Sequence, residues 1–207
     1  MKLSHMLFLT LSILASPQII AVPAQIIIVR HGEKPPGDEA NLTTKGRERA
    51  QALAVFFKED PFVLDFGLPT AIYAFKALSD RAPETMTPLA LQLGIPIDAD
   101  FTSQVPEMIA ELILNDSTYD GKMVLLCWDH SRLPLLISAL KGPMIHKPPS
   151  ERYDLIYKLT YTDPSNPTLC IGLQNLMKDD DTKIPDEYLP YACPMSGMQI
   201  VEQSRCQ

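Results

Sequence analysis

The first hydrophobic run in the chain has no period. Residues 6–15 are mostly apolar, follow a single positive charge at Lys2, and are followed by the small residues Ala15, Ser16, Ala21 and Ala24. That pattern predicts an export leader over residues 1–24, too short for a spanning helix, which needs roughly 20 apolar residues. From Gln25 the pattern changes. Residues 25–29, QIIIV, form a continuous β-branched run, as in a strand buried on both faces. Residues 32–41 are rich in Gly, Pro and acid and read as a loop. Thr43 or Thr44 then caps a helix over 45–58, where Ala50, Leu53, Ala54 and Phe57 recur at helical spacing.

The same two periods alternate through the next hundred residues. TAIYAF at 70–75 predicts a second strand. Ser79 or Asp80 caps a helix over 82–93, with Pro83 and Glu84 in its first turn and Gly94 at its end. A further helix is predicted over 106–115, a third buried strand over 122–127 (KMVLLC), and a helix over 131–140 stopped by Gly142-Pro143. Residues 153–161 alternate as a strand, and the turn DPSNP leads into another at 168–173, which predicts an antiparallel pair at a sheet edge. Residues 174–207 look irregular. The alternation predicts one α/β domain over 25–207, a three-layer sandwich around a mainly parallel sheet with an antiparallel edge strand.

Composition narrows the partners. Without Lys2 the 18 Lys and Arg fall to 17 against 25 Asp and Glu, a balance of −8 beyond the leader. Nucleic acid and anionic membranes are therefore not predicted partners, since both need a positive surface. The leader holds no Cys, so no stable membrane anchor is expected, and the chain is predicted to be exported, periplasmic or secreted. Cys127, Cys170, Cys193 and Cys206 show no C-x-x-C spacing. Cys193 and Cys206 either close a small loop or stay unpaired, and Cys127 in its apolar run reads as a buried thiol. Asp179 to Asp181 reads as a solvated acidic turn rather than a calcium loop, and no metal or cofactor is expected.

The polar residues of interest fall where strands end. Arg30 and His31 follow the first strand, Arg81 follows the second by a short loop, and His130 follows the third. Ligands of such sheets bind at the C-terminal strand ends. A neutral imidazole is a nucleophile at ordinary pH, and guanidinium groups make forked, charge-assisted bonds to phosphate oxygens. Singly, each residue has a structural reading: a strand-end charge, a loop histidine, an ion pair of Arg81 with Asp80 or Glu84, a helix cap at His130. Together they predict a phosphoryl-transfer site.

The motifs carry a resemblance. IIIVRHGEK at 26–34 resembles the R-H-G-E signature of the histidine phosphatase superfamily, the phosphoglycerate mutase-like proteins. Leu42-Thr43-Thr44-Lys45-Gly46 with Ala50 resembles that family's L-[ST]-x-x-G segment. Residues 79–85, SDRAPET, resemble its S-x-R-A-x-x-T segment, and 124–131 the strand leading to its second histidine. The resemblance implies that His31 is phosphorylated and that Arg30, Arg81 and a protonated His130 hold the phosphate. It also implies a proton donor for the leaving group, for which Glu107, Asp129 and Glu33 are the candidates, Glu107 first. Asp129 counts lower because adjacent strand residues point to opposite faces. Lys34 stands where many relatives have Thr and can add a cation to the substrate site. Trp128 is a pocket wall or a buried residue, with burial favoured. Arg132 reaches the mouth or, more in keeping with its place, is a solvated helix residue. Between Arg81 and His130 the only basic residue is Lys122. A mutase needs more cations there, and no segment is long enough for a large cap. The implied activity is a phosphomonoesterase acting through phosphohistidine on a small phosphoester or a phosphoprotein. The reading from another class is a non-catalytic phosphate-binding module.

Overall fold

A computed structural model describes residues 22–37, 39–76, 79–100 and 106–193. The leader predicted over 1–24 lies largely outside them. Its last residues do not stand apart: Val22 is buried, Pro23 bridges to Asp120, and the Ala24 amide donates to the Lys122 carbonyl. Residues 22–24 are thus packed with the domain, although the predicted boundary assigns them to the leader.

The strands are β1 (Gln25–Arg30), β2 (Pro69–Ala74), β3 (Ile97–Asp98), β4 (Met123–Trp128), β5 (Leu155–Thr160) and β6 (Thr168–Leu173). The helices are α1 (Thr44–Glu59), α2 (Arg81–Leu93), α3 (Pro106–Asn115) and α4 (Leu133–Ala139). One sheet runs in the order β3-β2-β4-β1-β5-β6. β3, β2, β4 and β1 are parallel, β5 is antiparallel to β1, and β6 is antiparallel to β5 at the edge. The steps β1 to β2 and β2 to β3 move toward one edge, so right-handed crossovers put α1 and α2 on one face. The step β3 to β4 moves back and puts α3 on the other. Accordingly α1 packs on α2, and α3 on α4. The expected three-layer α/β sandwich is the observed fold.

Local chemistry accounts for most of the ends. The Thr43 side chain accepts from the Gly46 amide at 3.0 Å and starts α1. Gly94 closes α2 in the left-handed conformation, φ 67°, which suits a residue without Cβ. α4 is shorter than expected because Asp129 takes its entry as a turn. The Asp129 side chain accepts from the Ser131 amide and its carbonyl from the Arg132 amide. β5 starts two residues later than expected, at Leu155, although the Asp154 carbonyl still accepts from the Gln174 amide just past the end of β6. β3, only two residues long, carries too little pattern to be seen in sequence.

The C-terminal region is less irregular than predicted. A 3-10 turn spans Asp186–Tyr191, its Tyr188 is fully buried, and Ala192 bridges back to Ile171. Cys193 pairs with Cys170. This corrects the expected alternatives for Cys193: pairing within the last residues would leave Cys170 alone, yet the chain doubles back along β6 and brings the two thiols together. Cys206 lies outside the described residues. Cys127 is a buried free thiol. Among the described residues no helix is long and apolar enough to cross a membrane.

β1 and β4 are neighbours whose following segments leave toward opposite faces. The crevice of a doubly wound sheet opens at such a point, beyond the C-terminal strand ends. Arg30, His31, Asp129 and His130 are the residues found there.

Candidate active site

Arg30 ends β1 and is only 2% exposed. Its Nη1 donates to the carbonyls of Ser150 (2.7 Å) and Arg152 (3.0 Å), and its Cζ lies 3.8 Å from the Tyr153 ring centroid. Its Nε and Nη2 are buried and have no partner among the described residues. Burial pushes the Arg30 pKa down, with Arg81 adding to the push while Tyr153 and Asp129 oppose it. A buried guanidinium with two unmet donors calls for an anion.

His31 follows directly. Its Nδ1 lies 2.7 Å from the Gly32 carbonyl, which can only accept. Nδ1 therefore carries the hydrogen, and Nε2 keeps its lone pair. Burial brings the His31 pKa down to about 4; Arg30 and Arg81 help, while the Gly32 carbonyl and Asp129 oppose. The ring is a neutral imidazole at ordinary pH. Its Nε2 stands 4.0 Å from Asp129 Oδ2.

The loop that carries His31 is held from two sides. A Cβ on Gly32 would come within 2.7 Å of the Gly46 carbonyl oxygen, and one on Gly46 within 2.4 Å of the Glu33 carbonyl oxygen. Both glycines are required by this close approach. From the other side, Thr85 Oγ1 accepts from the Gly32 amide (2.9 Å) and donates to the Arg81 carbonyl (2.7 Å). Glu84 accepts from the Leu42 amide at 2.9 Å. The residues after Arg81 thus bracket the first loop. Arg81 itself donates from Nε to Ser79 Oγ (3.0 Å) and is close enough to act on the charge states of Arg30 and His31.

His130 Nδ1 is 3.6 Å from Asp129 Oδ2, too long for a hydrogen bond and within ion-pair reach when His130 is protonated. Asp129 Oδ1 accepts from the amide and hydroxyl of Ser131. Burial works against its charge, but His130 and the Ser131 bonds outweigh burial and hold the carboxyl well below the usual carboxylate range. Arg30, His31, Arg81 and His130 therefore gather on one rim with Asp129 between the two imidazoles.

Several expectations change. Glu107 is exposed in the first turn of α3, and no hydrogen bond or ion pair among the described residues ties it to the four. Asp129 is the acid that faces them. The strand alternation that counted against it does not apply, since β4 ends at Trp128 and the chain has already turned. Glu33 is no free acid: Arg49 bonds it through Nε and Nη2 (2.8 to 3.2 Å), and Lys45 lies at 3.4 Å. Lys34 Nζ donates to the Gly37 carbonyl of its own loop, and no hydrogen bond or ion pair among the described residues ties it to the four. Trp128 is buried against Phe75, and Arg132 is an exposed residue with its guanidinium over the Phe75 ring. The acidic turn is not merely solvated. Asp179 pairs with Lys45 (2.6 Å), Asp180 with Arg49 (2.5 Å) and Asp181 with Arg152 (3.5 Å).

Tyr153 and the carbonyls of Ser150 and Arg152 were missed by sequence reasoning. Their segment has no strand or helix period, and the one available signal was an aromatic flanked by Arg and Asp just before a strand. Arg49 was missed because it lies on the helix face that the apolar residues define. Among the described residues no group of three or more His, Cys, Asp or Glu is placed to share a metal ion.

Comparison with known proteins bears on the fold. No protein-family model matches the chain, and no curated protein matches it by sequence. Solved structures do match. The protein histidine phosphatase SixA complexed with tungstate superposes with a TM-score of 0.53 at 15% identity, covering 72% of this chain and 97% of that one. The mycobacterial glucosyl-3-phosphoglycerate phosphatase complexed with VO3 gives 0.51 at 16% identity, covering 74% and 100%. The phosphoglycerate mutase of Bacillus anthracis gives 0.50 at 15% identity, covering 72% and 92%. The fold is that of the histidine phosphatases and phosphoglycerate mutases.

Proposed function

We propose that this chain is a phosphomonoesterase of the histidine phosphatase superfamily that works through a phosphohistidine on His31. The observation that carries this reading is the pair of unmet, buried donors of Arg30 beside a neutral imidazole with a free Nε2 lone pair. Arg30, Arg81 and protonated His130 hold the three non-bridging oxygens and take up their charge as the phosphoryl group moves. His31 Nε2 attacks phosphorus, the bond from phosphorus to the leaving oxygen breaks, and Asp129 gives that oxygen a proton. Water then attacks the phosphohistidine, Asp129 takes its proton, and phosphate leaves with His31 neutral again. Asp129 is ionised in the free site. A phosphate arriving beside it partly neutralises the surrounding cations and raises its affinity for a proton, which it takes up from solvent before the first transfer and returns to solvent once phosphate has left.

The shortage of cations between Arg81 and His130 favours hydrolysis over a mutase reaction. The substrate class is a small phosphoester or a phosphoprotein. The disulfide Cys170–Cys193 supports an oxidising compartment and so the exported location suggested by residues 1–24. Rapid quench with a labelled phosphomonoester tests the reading. Label is expected on His31 in the parent and is lost, with at least about 1,000-fold of the turnover, in His31→Ala. Full phosphate release by His31→Ala would overturn the proposal. Binding of phosphate without turnover in the parent would make the chain a binding module.

A further inference from the structure

The segment 174–193 leaves β6, meets α1 and the loop before β5, and returns to β6, where the Cys170–Cys193 disulfide and the Ile171–Ala192 bridge fasten it. Tyr188 pins it midway, buried against the Tyr157 ring and donating to the His146 carbonyl. On the way it presents Asp179, Asp180 and Asp181 to three separate cations. The central pair is the most enclosed: Asp180 and Arg49 side chains are 5% and 2% exposed.

Asp180 grips Arg49 with both oxygens, at 2.5 and 3.1 Å, while Oδ2 also accepts from the Leu176 and Met177 amides. The Gln174 oxygen takes a further Arg49 Nη1 bond at 3.2 Å. With its fork so held, Arg49 clamps the Glu33 carboxylate. Glu33 shares a peptide unit with Gly32, whose carbonyl is the acceptor for His31 Nδ1. The orientation of that peptide decides which nitrogen of His31 carries the hydrogen.

We infer that Asp180 is a positioning residue: through Arg49, Glu33 and the Gly32 carbonyl it holds His31 in the tautomer whose Nε2 is free to attack. The catalytic consequence rests on the phosphatase reading, but the tautomer itself does not. The Gly32 amide and the Glu33 carbonyl are also held, by Thr85 and Thr43, so a partly released Arg49 lets the peptide between them tilt rather than swing away; the Nδ1 bond lengthens, and the ring shares its hydrogen between both nitrogens. The fraction competent to attack falls, while Arg30, Arg81 and His130 still bind an oxyanion.

The test uses the full chain and three readouts. Long-range 15N–1H spectra report the His31 tautomer. Rapid quench reports the phosphorylation rate. Calorimetry with tungstate reports oxyanion affinity. Asp180→Asn is expected to give mixed His31 tautomers and about tenfold or more slower phosphorylation, with tungstate affinity changed less than about twofold. Asp180→Glu is expected to restore part of both effects. Arg49→Lys keeps the charge, loses the fork, and is expected to mix the tautomers even if Asp180→Asn does not fold. A single unchanged tautomer in whichever of these variants folds overturns the inference, whatever the turnover. A parent that never forms phosphohistidine overturns the phosphatase reading instead, and the tautomer comparison still decides the role of Asp180.

Discussion

Arg30 and Arg49 are both almost completely buried, 2% and 1% exposed, and lie on either side of the same R-H-G-E loop. Their surroundings are opposite. Arg49 donates through Nε, Nη1 and Nη2 to Glu33, Asp180 and Gln174, and although burial disfavours its charge, the Glu33 and Asp180 carboxylates raise its pKa above the usual value. Among the described residues Arg30 has no carboxylate partner, two carbonyls on one nitrogen, two donors without a partner, and a pKa lowered by burial. One guanidinium is spent on structure. The other is desolvated and, among the described residues, has donors left over, which in the proposed reading a phosphate takes. Residue type and burial do not separate the two roles; the state of the hydrogen-bond partners does.

Removing each in turn gives the largest effects and sets the comparison at risk. Arg30→Ala is expected to lower kcat/KM by about 100- to 1,000-fold. Its stability should change by less than about 2 kcal/mol, because the loss of two carbonyl bonds and the Tyr153 ring contact is offset by removing a buried charge with unmet donors. Arg49→Ala is expected to cost about 3–5 kcal/mol in urea unfolding, since Glu33 and Asp180 are left as buried charges without a counterpart. Equal stability of the two variants would break the distinction.

Acid sharpens it. The His31 pKa is about 4 in the fold against 6.5 in a free side chain, so the unfolded chain takes up this proton first as pH falls. Between about pH 6.5 and 4 the fold therefore loses stability, and His31→Ala should flatten that part of a Tm-versus-pH curve. The depressed carboxyls of Glu33, Asp129 and Asp180 act in the same direction at lower pH, their stabilisation being lost as each takes up a proton. On the activity side, kcat/KM should fall as His31 gains its proton near pH 4. An acid limb that stays in place when His31's surroundings are altered would assign it to another group.

The smallest effect concerns the loop between the two arginines. Ala in place of Gly46 would ordinarily help a helix by up to about 1 kcal/mol. Here its Cβ meets the Glu33 carbonyl oxygen at 2.4 Å, and Gly46→Ala is expected to destabilise by about 1–3 kcal/mol in the same unfolding experiment. Gly37, where nothing lies within 4 Å of an added Cβ, serves as the control for crowding, though its φ of +88° carries its own cost.

The alternation of strands and helices, the Thr43 cap, the Gly94 stop and the strand-end positions of Arg30, His31, Arg81 and His130 were all legible along the chain. These depend on side-chain period, capping groups and chain order, which act over a few residues. The two-residue β3 escaped because it is shorter than any period. Tertiary structure alone decided which arginine is satisfied, which acid faces the imidazoles, and where Cys193 finds its partner. Arg49 meets Asp180 across 131 residues, and Arg30 meets the Arg152 carbonyl across 122. Whether a buried polar group is spent or free is a property of partners brought from far along the chain, so no local pattern could record it.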